Sequence, residues 1–198
     1  MDPSRQTQAS LSVLPDDVFI SLADIEAARV RIAPYVRQTP VLTSEVLDQA
    51  SGGQLFFKCE NLQAIGAFKA RGASNAVLSL SDADAARGVA THSSGNHGSA
   101  VAYAARRRGI PAYIVMPEGV ARPKAAQVER LGARITYCAP TIPAREAAAA
   151  AIIAETGAAL IHPYDDLAVM AGQGTAALEL MDDAPDLDVV LEIGRAHV

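Results

Sequence analysis

Short apolar runs alternating with helical stretches predict an α/β fold, with parallel sheets and helices on both faces. Half of the 198 residues are apolar, enough to bury a full core as one large domain or two small ones. From Val89 onward the apolar runs are separated by helices of about ten residues, the spacing of βαβ units. Neither a fixed-period repeat nor a low-complexity linker interrupts this pattern.

Ser21 with Asp24 forms a capping-box pattern and opens a helix whose face carries Ile25, Ala28 and Ile32. Thr39-Pro40 forces extended backbone, and Ser44 starts a short helix that Gly52-Gly53 ends. Residues 55–59 read as a strand, Gly66 as a turn and residues 69–80 as a helix. Next come a strand at 89–92, a helix at 98–108, a strand at 112–116 and a helix at 124–131 stopped by Gly132. A strand at 134–138, an alanine-rich helix at 145–155 stopped by Gly157 and a strand at 158–161 complete the alternation. Asp166 reads as the start of another helix, and Val189-Val190-Leu191 as a strand. Residues 1–16 are polar and irregular and read as a flexible tail.

Composition removes several function classes. The net charge is −5, and the only basic run is Arg106-Arg107-Arg108. Arginines at that place complement the carbonyl end of a helix, so nucleic acid and anionic membranes are not expected partners. No apolar stretch reaches spanning length and no signal-peptide pattern opens the chain. Cys59 and Cys138 stand 79 positions apart without CxxC pairing; free thiols suit a cytoplasmic protein. His92, His97, His162 and His197 lack metal-ligand spacing, so no metal is expected.

Lys69 lies in Gly66-Ala67-Phe68-Lys69-Ala70-Arg71-Gly72, and the chain has only three lysines among 17 basic residues. Arginine keeps its proton in proteins, whereas lysine can act as an amine nucleophile. A retained lysine beside a glycine turn therefore suggests a Schiff base to a carbonyl, as with pyridoxal phosphate (PLP). The alternative is a solvated helix lysine.

Ser93-Ser94-Gly95-Asn96-His97-Gly98 sits where a strand turns into a helix. Its glycines allow a tight bend that bares amide groups, and the helix N-terminus suits a carboxylate or phosphate. The alternative is an ordinary capped turn. Gly172-Gln173-Gly174-Thr175-Ala176-Ala177 matches the dinucleotide pattern GxGxxA, but no strand precedes it. Thr175 onward is read as helix packing against the sheet, and a nicotinamide site is rejected.

Together these segments resemble fold-type II PLP enzymes, the tryptophan synthase β-like architecture, and within them the threonine/serine dehydratase and serine racemase group. The carriers are residues 55–62, Gly66-Ala67-Phe68-Lys69-Ala70-Arg71-Gly72, Thr91-His92-Ser93-Ser94-Gly95-Asn96-His97-Gly98 and Ala171-Gly172-Gln173-Gly174-Thr175, in family order. The wording around His92 to His97 is most similar to the serine racemase and 3-hydroxyaspartate dehydratase branch. The resemblance covers about Ile25 to Leu191.

It implies that Lys69 binds PLP covalently, that Phe68 packs beside the cofactor ring, and that Asn96 hydrogen-bonds its 3′-oxygen. It places Ser93, Ser94, Asn96 and His97 around the substrate carboxylate. Arg145, seven residues after Cys138, matches an arginine that resembling racemases aim at the same carboxylate; the alternative is a surface helix arginine. Freed Lys69 would be the general base at Cα, and Ser94 the proton donor on the opposite face. The implied reaction is loss of water from threonine or serine to give a 2-oxo acid and ammonia, with serine racemisation at the same site. A 3-hydroxyaspartate dehydratase is the alternative substrate reading, and a non-catalytic α/β anion-binding fragment the alternative of another class. A small amino-acid substrate and a homodimer at full length are also implied.

The resemblance divides the chain into a large PLP domain, residues 17–87 plus 166–191, and a small domain, residues 88–165. Family members continue past Leu191 into a glycine-rich loop that cradles the PLP phosphate. Here Glu192-Ile193-Gly194-Arg195-Ala196-His197-Val198 back-translates into the start of a widely used sequencing adapter. Residues 192–198 are therefore read as a non-native tail on an incomplete chain, and the 198-residue polypeptide is expected to bind PLP poorly, to aggregate and to be inactive.

Overall fold

Four parallel strands organise the centre of the protein, in the order β5-β4-β3-β6. They are β3 (Val89–His92), β4 (Ala112–Pro117), β5 (Arg134–Cys138) and β6 (Ala159–Leu160). The computed structural model describes residues 19–93 and 95–192. Val89 lies opposite both Ala112 and Ala159, and Tyr113 opposite Arg134, so neighbouring strands start level. Parallel neighbours require crossovers, supplied by α5 (Asn96–Arg108), α6 (Arg122–Arg130) and α7 (Ile142–Thr156).

Strand alternation divides the helices between the faces. Ile114 and Met116 point into the main core with Val101, Ala104 and Val128 of α5 and α6. Val115, equally buried, points the other way, toward the face that α7 covers. That is the α/β arrangement expected from the sequence.

The remaining elements precede and follow this unit. α1 (Leu22–Ile32), β1 (Val41–Leu42), α2 (Glu45–Ser51), β2 (Phe57–Lys58), α3 (Lys69–Ser79) and α4 (Asp82–Ala86) lead into it, and α8 (Leu167–Asp183) follows β6. The capping box forms as expected: Ser21 Oγ accepts the Asp24 amide at 3.2 Å while the Asp24 carboxylate accepts the Ser21 amide at 2.9 Å. Gly52 ends α2 in the left-handed conformation with φ 75°.

Several expected bounds shift. The strand at 55–59 shrinks to Phe57–Lys58, paired antiparallel with Val41–Leu42, because Cys59 already turns into a 3₁₀ segment at Glu60–Leu62. α6 and α7 begin at Arg122 and Ile142, each with proline in its first turn. Proline is tolerated there because its missing N–H would have no helical partner. α5 likewise starts at Asn96, not residue 98. α4, capped by Ser81, is an element beyond those expected. Val189, Val190 and Leu191 form no strand and are 69%, 55% and 82% exposed. Residues 1–16 and 193–198 lie outside the described residues. Among the described residues no helix is long and apolar enough to cross a membrane.

Candidate active site

Lys69 takes its place from a very close crossing of α3 and α8. A methyl group added at Gly172 would stand 2.6 Å from Gly72 Cα and 2.7 Å from the Arg71 carbonyl oxygen. The backbones touch where side chains would normally separate them, so each helix needs glycine here. Gln173 Oε1 accepts the Gly72 amide at 3.2 Å, serving one of the N–H groups that the first turn of α3 leaves without a helical partner. Gly174 faces Ile25 of α1, where an added Cβ would lie 2.8 Å from Cδ1. The segment from Gly172 thus packs α8 on the helices α3 and α1, not against the sheet as expected from the sequence, because the two glycines let the helix backbones come close.

Below this crossing, Arg71 is fully buried and fixed on two carboxylates. Its Nε and Nη2 each donate to Glu60 at 2.8 Å, and its Nη1 and Nη2 each donate to Glu179 at 2.7 Å. Lys58 Nζ adds a contact to Glu179 at 3.0 Å. Planar guanidinium geometry suits this double fork, which ties α3, α8 and the segment after β2 together. Burial opposes ionisation of Glu179, but hydrogen bonds from Arg71 and Lys58 outweigh it and hold the carboxyl below its usual range.

Lys69 stands at the first position of α3, half-buried, with Nζ donating to the Pro163 carbonyl oxygen at 2.7 Å. Burial lowers the basicity of this amine, partly offset by Glu192. The half-buried Phe68 ring lies 5.1 Å from the same Nζ.

The turn from β3 into α5 lies at the carboxyl ends of the parallel strands, where α/β sheets leave a crevice. Ser93 donates its amide to the Val115 carbonyl at 3.0 Å, and its Oγ accepts the Gly95 amide at 3.2 Å. Among the described residues nothing stands within 4 Å of a Cβ at Gly95, whereas one at Gly98 would meet Ile114 at 3.0 Å. Gly95 therefore leaves open space before the helix, and Gly98 lets α5 sit close on β4. Asn96 is exposed in the first turn of α5. Ser94 lies outside the described residues.

His97 is 4% exposed, and its Nε2 lies 3.1 Å from the Ile161 carbonyl oxygen. A carbonyl only accepts, so Nε2 carries the proton and Nδ1 keeps a bare lone pair. Burial pushes the ring pKa down to about 4, so it is neutral near pH 7. Arg145 occupies the first turn of α7, and its Nε is buried without a hydrogen-bond partner among the described residues. His92, at the end of β3, is made less basic first by burial and then by His162, with Arg145 adding to the shift and Glu146 opposing it.

One wall of this site carries none of the residues singled out from sequence. Residues 161–165 receive His97 on Ile161 and Lys69 on Pro163, and they carry His162 and Tyr164 in edge-to-face contact at 4.7 Å. The available signal was positional: His162-Pro163 directly follows the expected strand at 158–161, at its carboxyl end.

The family model for pyridoxal-phosphate dependent enzymes matches residues 32–197. The chain belongs to the pyridoxal-phosphate dependent enzyme family. The beta-hydroxyaspartate dehydratase of Paracoccus denitrificans (strain Pd 1222) is 53% identical over 168 residues, 85% of this chain and 53% of that protein. The structure of maize serine racemase superimposes with a TM-score of 0.84 at 46% identity, covering 85% of this chain and 51% of that one. The serine racemase of Dictyostelium discoideum gives a TM-score of 0.82 at 46% identity, covering 85% and 55%. The chain thus spans about half the length of these relatives. Its residues fit the family cofactor, since a half-buried amine of lowered basicity and the helix N-terminus that is open at Gly95 both meet residues 161–163.

Proposed function

We propose that the protein is a PLP-dependent ammonia-lyase of small β-hydroxy amino acids such as threonine or serine, releasing a 2-oxo acid and ammonia, with racemisation at Cα as a second outcome. The observation that carries this reading is Lys69 Nζ, half-buried and 2.7 Å from the Pro163 carbonyl, beside the N-terminal turn of α5. Bound PLP supplies an electron sink that stabilises negative charge at Cα. Lys69 would hold the cofactor and, once free, would take the proton from Cα; burial suits it to that task by favouring the neutral amine. Phe68 would pack beside the cofactor, and Asn96 would be a hydrogen-bond partner for it.

The amides at the start of α5, with Ser93, Asn96 and His97, receive the substrate carboxylate. The His97 ring cannot do so itself, because its one N–H is engaged by Ile161 and its other nitrogen is an acceptor; His97 contributes its backbone. Arg145, with Nε unpartnered among the described residues, completes the carboxylate site. Ser94 returns a proton from the opposite face when Cα inverts. A β-hydroxyaspartate dehydratase is the second reading, favoured by the relative of that name at 53% identity. Residues 17–87 with 166–191 form the cofactor domain and 88–165 the smaller one.

The test is reduction with borohydride in the presence of PLP, followed by peptide mass mapping, on protein from the complete gene. A reduced adduct on Lys69, with 2-oxo acid release from threonine, serine or 3-hydroxyaspartate, is expected. Absence of both rules the proposal out.

A further inference from the structure

The turn between β6 and α8 supplies carbonyls to both Lys69 and His97, yet the side chain between them, His162, has no task so far. Its Nδ1 accepts the Asp165 amide at 2.9 Å. An amide N–H only donates, so Nδ1 must carry a lone pair, and the proton of the neutral ring sits on Nε2. The ring's direction is set by two edge-to-face neighbours, His92 at 6.1 Å and 82° and Tyr164 at 4.7 Å and 81°. Among the described residues, Nε2 has no hydrogen-bond partner. The segment therefore presents one N–H donor of fixed tautomer and fixed direction, next to the residue whose carbonyl holds the Lys69 amine.

A fixed donor on the residue before Pro163, whose carbonyl accepts from the amine that works at Cα, is suited to an acceptor one bond further out. We infer that His162 is a specificity-determining residue whose Nε2–H donates to the oxygen on the substrate's β-carbon, selecting β-hydroxy amino acids among β-substituted ones. This rests on the lyase reading given under Proposed function and narrows its substrate class. The donor is oriented before substrate arrives, so it also stabilises the charge that grows on oxygen as the Cβ–O bond lengthens. The proton stays on the ring throughout, since a neutral imidazole is far too weak an acid to release it; the Cβ–O electron pair leaves on oxygen, which takes the proton that Lys69 removed from Cα and departs as water. A β-substituent that leaves as a stable anion, such as chloride, gains little from this contact.

The experiment compares hydroxy substrates (threonine, serine and 3-hydroxyaspartate) with 3-chloroalanine on the holoenzyme from the complete gene. The variants are His162→Phe, which removes the donor, and His162→Gln, which keeps an acceptor for the Asp165 amide and a donor. In His162→Phe, kcat/KM for the best hydroxy substrate should fall roughly tenfold to a hundredfold, and that for 3-chloroalanine by less than about threefold. His162→Gln should recover part of the loss, and its substrate ratio decides the matter if His162→Phe does not fold. Equal losses on both substrate classes, or no loss on hydroxy substrates, overturn the role of His162 while leaving the lyase reading intact. A wild-type protein that forms no adduct on Lys69 and turns over neither class overturns both.

Discussion

Gly72 and Gly172 bring α3 and α8 so close that a methyl group at the second would lie 2.6 Å from Cα of the first. Lys69 is one turn from that contact, so the position of the amine depends on it. Gly172→Ala should destabilise the protein by about 1–3 kcal/mol through overpacking, seen as a lowered denaturant midpoint. PLP uptake should weaken in parallel, read from the cofactor absorbance at fixed PLP concentration.

Lys69→Arg keeps the charge but gives up the nucleophile. The holoenzyme should lose about 10²–10⁴-fold or more in turnover, with no borohydride-stable adduct at position 69. The folded state should survive, since Lys69 is only half-buried and its one side-chain hydrogen bond among the described residues is to the Pro163 carbonyl. Circular dichroism and steady-state assays on the same preparation separate the two effects.

Glu179→Ala leaves Arg71, which is 0% exposed, with one carboxylate instead of two. Removing one partner of a buried ion pair costs about 3–5 kcal/mol. Glu179 titrates below its ordinary value when folded, so its stabilisation is present above the unfolded pKa. It is lost as pH falls through the lower folded value. Chemical denaturation of wild type should therefore weaken below roughly pH 4, and that loss should be smaller in Glu179→Gln.

His97 adds a separate window. Its folded pKa of about 4 lies below the unfolded value near 6.5, so the unfolded chain binds the proton more readily. Stability should fall by about 3 kcal/mol as pH drops from about 6.5 to about 4 and be unaffected above that range. In His97→Gln the slope across this window should become shallower, leaving only the smaller share of His92 and His162, which are also made less basic by burial. Unfolding curves at half-unit pH intervals measure it.

Local signals in the sequence carry most of the fold. Ser21 with Asp24, and Gly52 after α2, fix helix ends through bonds to near neighbours, so the pattern is legible. α6 and α7 start at Arg122 and Ile142, two and three residues before the expected 124 and 145, because both helices hold proline in the first turn. At the site, Lys69 and the turn at 93–98 stand out by residue type. Pro163 and Ile161 do not, because their role is to lend carbonyl oxygens to partners 94 and 64 positions away, and carbonyls leave no mark in a sequence. Arg71 is visible only as part of a motif; its burial against Glu60 and Glu179 needs the fold.

The contacts that seat α3 are made with α8, 101 positions downstream from Gly72 to Gln173 and 108 from Arg71 to Glu179. During synthesis, at about 5–20 residues per second, the amine at position 69 leaves the ribosome roughly 5–20 s before the helix that orients it. A nascent chain paused anywhere in that interval carries the lysine but not yet the scaffold that aims it.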